Sequence, residues 1–113
     1  MSLRQTDRGD KMRQVQIKDI VKAVGGKLVW GDENAAVTNV STDSREVKTG
    51  TLFVPIIGER VDAHRFIPDV LEAGASCVFF SDAREKEKKG AGIYVSDTLL
   101  AMQKFAAWYR SKL

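Results

Sequence analysis

A three-layer α/β sandwich, with a mainly parallel sheet of four to five strands and about three helices, is the fold this sequence predicts. Two observations lead there. Segments with apolar residues at helical spacing alternate along the chain with short extended ones, the pattern that lays helices on the faces of a sheet. Residues 51–57 and 76–80 are also nearly continuous apolar runs, as strands buried on both faces are, so helices must cover both sides.

Taken in order, Ile17, Ile20, Val21 and Val24 recur at helical spacing and are followed by Gly25 and Gly26. This predicts a short amphipathic helix stopped by a glycine able to take positive φ. Residues 27–30 and 37–41 are predicted strands, parted by the turn formers Gly31, Asp32, Glu33 and Asn34. Residues 51–57 form the next strand, and Pro55, which cannot donate a ladder hydrogen bond, should end or bulge it ahead of Gly58. Phe66, Ile67, Val70 and Leu71 mark the apolar face of a helix over 64–73, with Pro68 in its first turn and Gly74 as its stop. A buried strand over 76–80, a charged connector over 81–90 in which the run 84–89 is read as a solvated turn, and a strand over 93–95 follow. Asp97 caps the last helix, whose buried face is expected to be Leu99, Met102, Ala106, Tyr109 and Leu113.

Composition bounds the function. A chain of 113 residues suits one domain, which should bury about two-thirds of its unfolded surface. Its 43% hydrophobic and 29% charged content is that of a soluble globular protein, and no apolar run approaches the ~20 residues of a membrane helix. The start, MSLRQTDRGDKMRQ, lacks the apolar centre of a secretory signal. The expectation is a cytoplasmic domain over 15–113, with no membrane partner, preceded by a disordered tail or tag remnant over 1–14. A net charge of +3, from 18 basic and 15 acidic residues scattered along the chain, argues against nucleic acid as a partner. The lone Cys77 can make no internal disulfide and lies in an apolar run, which predicts a buried structural thiol.

The chemistry gathers in residues 41–66, STDSREVKTGTLFVPIIGERVDAHRF, where two polar loops flank one apolar strand. The first loop offers a carboxylate, a hydroxyl and a guanidinium from Asp43, Ser44 and Arg45, enough to read the edge of a small polar ligand. The second offers Glu59, Asp62 and His64, with Gly58 permitting a sharp turn or close approach. Each has a plainer role open to it. Asp43 and Arg45 can form an ion pair within the loop, with Asp43 organising the turn. His64 has no nucleophile or second metal ligand nearby in sequence, so packing or capping at a helix entry suits it better than catalysis. Neither a catalytic nor a metal-binding residue is assigned. Trp30, Phe53 and Trp108 are expected in the core or at an interdomain contact.

The series STDSR, then V-x-x-G-x-L-F-V, then G-E-R-x-D-x-H-x-F-I, resembles the amino-terminal domain of the bacterial Mur ligases over residues 17–113. Within that family the segment IKDIVKAVGGKL, residues 17–28, is most similar to the ligases that add D-alanyl-D-alanine. The resemblance implies a domain that holds the UDP end of UDP-N-acetylmuramoyl-tripeptide, with Ser44 and Arg45 at the uridine diphosphate and the loop from Gly58 to His64 lining the other side. It also implies a parent ligase that uses ATP and Mg2+ to activate the tripeptide carboxylate for attack by the D-alanyl-D-alanine amine. One departure is Ala63, where the family segment D-G-H carries glycine; a need for positive φ there would strain the loop.

No G-x-x-x-x-G-K-[ST] phosphate loop occurs in the sequence. The expectation is therefore an inactive substrate-binding domain without its own cofactor, whose partners are the ATP-binding and carboxy-terminal domains of the same ligase. Two other readings stay open: the same domain from the ligase that adds the third peptide residue, or a non-catalytic interaction module with an exposed apolar patch at Trp108 and Tyr109.

Overall fold

Residues 12–113 are described by the computed structural model. Helix α1 (Ile17–Val24) buries Ile17, Ile20 and Val24, and Gly25 at φ 67° ends it by donating its N–H to the Lys22 carbonyl. The chain reverses into β2 (Lys27–Trp30). Before α1, the two-residue strand β1 (Val15–Gln16) pairs antiparallel with β3 (Ala36–Val37) as a separate small ladder. The single strand expected over 37–41 is thus two: Val37 belongs to β3, whereas β4 (Asn39–Ser41) lies in the main sheet. The break has a local cause. The N–H groups of both Thr38 and Asn39 donate to one acceptor, the Gly50 carbonyl, at 2.8 and 3.2 Å, which turns the chain out of the first ladder.

Strands β5 (Thr51–Phe53), β6 (Cys77–Phe80) and β7 (Gly92–Tyr94) complete a five-stranded sheet of order β2-β7-β6-β5-β4. β4 to β7 run parallel, and β2 closes the edge antiparallel to β7. β5 stops ahead of Pro55, as the missing amide requires.

Pleating divides the sheet residues between two cores. Leu52, Val54, Cys77, Phe79 and Ile93 face one core, shared with α1 and with α3 (Thr98–Ser111). Phe53, Val78 and Phe80 face the other, shared with α2 (Ile67–Glu72). The three-layer α/β sandwich and its mainly parallel sheet are as the sequence predicts. Cys77 is fully buried, and that burial pushes its thiol pKa up, so it is an inert packing residue.

The face of α3 differs in part from the expected one. Ala106 and Tyr109 are buried as expected, but they are joined by Thr98, Ala101 and Phe105, whereas Leu99 and Leu113 are 46% and 57% exposed. Two hydrogen bonds from outside the helix select its orientation: the Thr98 hydroxyl donates to the Pro55 carbonyl at 2.6 Å, and the Tyr109 hydroxyl accepts the Arg13 N–H at 2.6 Å. Much of the expected tail over 1–14 lies outside the described residues. Met12, within it, is buried and donates its N–H to the Thr38 carbonyl, so ordered core begins ahead of Val15. No helix among the described residues is long and apolar enough to cross a membrane.

Gly92 is set by close approach, since a Cβ there would lie 2.3 Å from the buried Trp30 ring. Gly92→Ala is expected to cost about 1–3 kcal/mol through this overpacking, read as a lower midpoint in urea unfolding. An unchanged midpoint would show that the ring can move aside freely.

Candidate functional site

The four parallel strands bring their carboxyl ends to one rim, where open α/β sheets present ligands. Residues 42–45 follow β4, 54–62 follow β5, and 81–84 follow β6. The first loop is built around Asp43. Its Oδ1 accepts the Arg45 backbone N–H at 2.9 Å, capping a 3-10 turn over Ser44–Glu46. The same carboxylate holds the Arg45 guanidinium in a fork, Nε to Oδ1 at 3.0 Å and Nη2 to Oδ2 at 2.9 Å. Asp43 therefore organises the turn and aims Arg45, whose side chain is 86% exposed.

The second loop is a tight hairpin. Ile57 bridges Asp62, and the Gly58 N–H donates to the Val61 carbonyl at 2.8 Å. Gly58 does not use positive φ; a Cβ there would lie 3.3 Å from the Val61 oxygen, so its contribution is closeness. Asp62 caps a second 3-10 turn, Ala63–Phe66, by accepting the His64 N–H at 2.9 Å. Ala63 thus adopts helical backbone, and the strain foreseen for its side chain does not arise.

Asp43, Ser44 and Arg45 meet Ala63 and Phe66, with Thr42, around a cavity of about 400 Å³. Gly58, Glu59 and Asp62 do not line it, and Glu59 and Asp62 are exposed. His64 does not line it either; it is 3% exposed, with Nδ1 2.7 Å from Asp62 Oδ1 and Nε2 accepting the Ser81 N–H at 2.9 Å. It is packed as expected, but the cap of its turn is Asp62, and the ring instead accepts an N–H from the segment after β6.

Residues 81–84, read from sequence as the start of a charged connector with Arg84 in its solvated turn, belong to this rim. Arg84 forks onto Asp82 with two contacts of 2.8 Å, and its Nη2 also donates to the His64 carbonyl at 3.1 Å. The signal was available: Asp82-x-Arg84 repeats the spacing of Asp43-x-Arg45, each just after a parallel strand. Lys27, Phe80, Arg84 and Tyr94 help line a second recess of about 420 Å³. The exposed patch expected of an interaction module at Trp108 and Tyr109 is not present, because Tyr109 is buried and Lys112 sits over the Trp108 ring. Among the described residues no group of His, Cys, Asp or Glu side chains is placed to hold a metal ion.

Residues 36–110 match the family described as "Mur ligase family, catalytic domain". The chain belongs to the Mur ligase family. It is 34% identical over 99 residues to the UDP-N-acetylmuramoyl-tripeptide--D-alanyl-D-alanine ligase of Bacillus subtilis (strain 168), an overlap of 86% of this chain and 22% of that protein. It is 32% identical over 94 residues to the UDP-N-acetylmuramoyl-L-alanyl-D-glutamate--2,6-diaminopimelate ligase of Bacteroides thetaiotaomicron, covering 82% of this chain and 20% of that one. Among solved structures, the UDP-N-acetylmuramoylalanyl-D-glutamyl-2,6-diaminopimelate--D-alanyl-D-alanyl ligase of Acinetobacter baumannii superposes with a TM-score of 0.75 at 27% identity, over 88% of this chain and 22% of that chain. The chain thus spans about a fifth of the length of these relatives.

Electrostatics at the rim of this Mur ligase domain are set by hydrogen bonds to carboxylates. The Arg45 guanidinium holds Asp43 below its ordinary carboxylate value, the His64 backbone N–H does the same for Asp62, and the Arg84 guanidinium for Asp82. A carboxyl whose folded pKa is depressed stabilises the fold when ionised. That contribution is present above the ordinary value of 3.8 and is lost as pH falls through the lower folded values. Urea midpoints measured from pH 7 down to pH 3 should therefore fall at the acid end. Asp82→Asn should show a shallower acid fall than the unaltered domain; an equal fall would mean that the Asp82–Arg84 pair adds nothing.

Proposed function

We propose that this domain anchors the UDP end of UDP-N-acetylmuramoyl-tripeptide, as the amino-terminal domain of a peptidoglycan-precursor ligase that adds D-alanyl-D-alanine. The observation that carries this reading is the convergence of Ser44 and Arg45 with Ala63 and Phe66 on one cavity at the carboxyl rim of the parallel sheet. Its chemistry suits the ligand. Thr42 and Ser44 hydroxyls can match uracil or ribose groups, and Phe66 offers an apolar wall. Arg45, aimed by Asp43, keeps further N–H donors for diphosphate oxygens. Family membership and the similarity to D-alanyl-D-alanine ligases support the parent activity.

The parent enzyme would draw on ATP and Mg2+ and on further domains for the bond-forming step. This domain supplies position: holding a remote handle places the distant carboxylate, a use of binding energy from non-reacting parts of the substrate. A second reading is the corresponding domain of a ligase that adds 2,6-diaminopimelate as the third peptide residue. It is favoured by the comparable 32% identity to such a ligase, and the same UDP site would serve both.

The test is an NMR titration of the labelled chain with UDP and with UDP-N-acetylmuramic acid, alongside Arg45→Ala. Shifts should cluster on Ser44, Arg45, Ala63 and Phe66 with a Kd of about 1 mM or weaker, worth at most about 4 kcal/mol. They should be lost in the variant. Saturable shifts confined to the recess beside Lys27 and Tyr94, or no shifts at several times that concentration with the fold intact, would overturn the assignment.

A further inference from the structure

His64 is 3% exposed although it belongs to a polar loop, and its ring nitrogens meet partners of opposite kind. The Ser81 backbone N–H can only donate, so Nε2, 2.9 Å away, presents a lone pair; the ring proton then sits on Nδ1 and goes to Asp62 Oδ1 at 2.7 Å. The Ser81 hydroxyl lies 3.3 Å from Nε2. Behind the ring, Arg84 donates to the His64 carbonyl while gripping Asp82. The charged groups around His64 are thus Asp62 from its own turn, and Asp82 and Arg84 from the segment after β6. Ala63 and Phe66, which form one side of the 400 Å³ cavity, share the 3-10 turn with His64. The ring therefore ties that wall to the sheet.

We propose that His64 is a positioning residue of the candidate site: with no proton on Nε2 it pins the Ala63–Phe66 turn to the end of β6, and protonation of Nε2 releases that wall. A second ring proton would set two N–H groups against each other at Ser81. Asp62 would keep its hold on the imidazolium, but Asp62 lies on the same loop and leaves with it, so the bond lost is the 2.9 Å one from the Ser81 backbone N–H, and the Ser81 hydroxyl, 3.3 Å from Nε2, is only a longer and weaker acceptor for the new proton. The inference rests on reading this cavity as the ligand site.

The experiment uses UDP-N-acetylmuramic acid, whose diphosphate diester does not titrate between pH 5 and pH 8. Its affinity is measured across that range for the unaltered chain and for His64→Gln, whose side-chain oxygen can still accept the Ser81 N–H. The unaltered chain should lose affinity toward acid, by up to about tenfold per pH unit where one proton opposes binding. Whatever its affinity at pH 7.5, His64→Gln should change by less than about twofold from there down to pH 5, because its amide does not titrate. Equal acid losses in both proteins would overturn the proposal. A spectroscopic readout stands apart from binding: at pH 7.5 the His64 Nε2 nitrogen should resonate as unprotonated, and the Ser81, Ala63 and Phe66 amides should titrate together with it. A proton found on Nε2 at pH 7.5, or a His64 titration that leaves those amides unmoved, would also overturn it. Failure to bind the ligand at pH 7.5 with the amide titration intact would instead count against the cavity as the UDP site.

Discussion

Strand β6 is the constraint on which the rest of the molecule depends. All of Cys77, Val78, Phe79 and Phe80 are buried, and alternate residues enter opposite cores. A strand so placed has no face to give to solvent, so it demands α1 and α3 on one side, α2 on the other, and a parallel neighbour along each edge. Parallel neighbours in turn deliver their carboxyl ends to the same rim. The candidate site is thus a consequence of how the centre of the sheet is buried.

On that rim the charged groups act through geometry more than through energy. Exposed ion pairs contribute roughly 0–1 kcal/mol, and the Asp43–Arg45 fork, with Arg45 86% exposed, is of that kind. Its effect is directional. The carboxylate caps a turn and fixes two guanidinium nitrogens, so an otherwise flexible side chain presents its remaining donors in a defined place. The Asp82–Arg84 fork, more sheltered at the arginine, repeats the device two strands away and fastens the loop between them through the His64 carbonyl. Two short Asp-x-Arg turns and one buried imidazole together give irregular backbone a single shape.

The division of the rim also fits a domain that holds one end of a long substrate. The cavity is bounded by hydroxyls and a guanidinium on one side and by Ala63 and Phe66 on the other. Such a site can recognise a ligand with a polar ring and an anionic tail while performing no chemistry on it. In the proposed ligase, orientation is what this part of the protein provides.

Much of this was legible in the residues. The apolar run at β6, the helical spacing of Ile17, Ile20 and Val24, the glycine stop at Gly25 and the proline stop after β5 are local signals, because burial period and backbone freedom are properties of short segments. The pairing of Asp43 with Arg45 was foreseeable for the same reason, the partners being two residues apart. What only the tertiary structure decided were contacts between distant segments. Residues 37–41 split because Gly50 supplies one acceptor to two amides, and α3 brought Ala101 and Phe105 inward beside the expected Ala106 and Tyr109, and left Leu99 outside, with the Thr98 hydroxyl held by the Pro55 carbonyl. Glu59 was left outside the cavity, and Arg84 was drawn to the rim by its bond to the His64 carbonyl, 20 residues away in the chain. By itself, then, the sequence determined the layers and the turns, since these follow from each segment's own pattern. Which loops meet, and which residues face the cavity, depends on strand register and on single hydrogen bonds across the fold, and no local pattern encodes those.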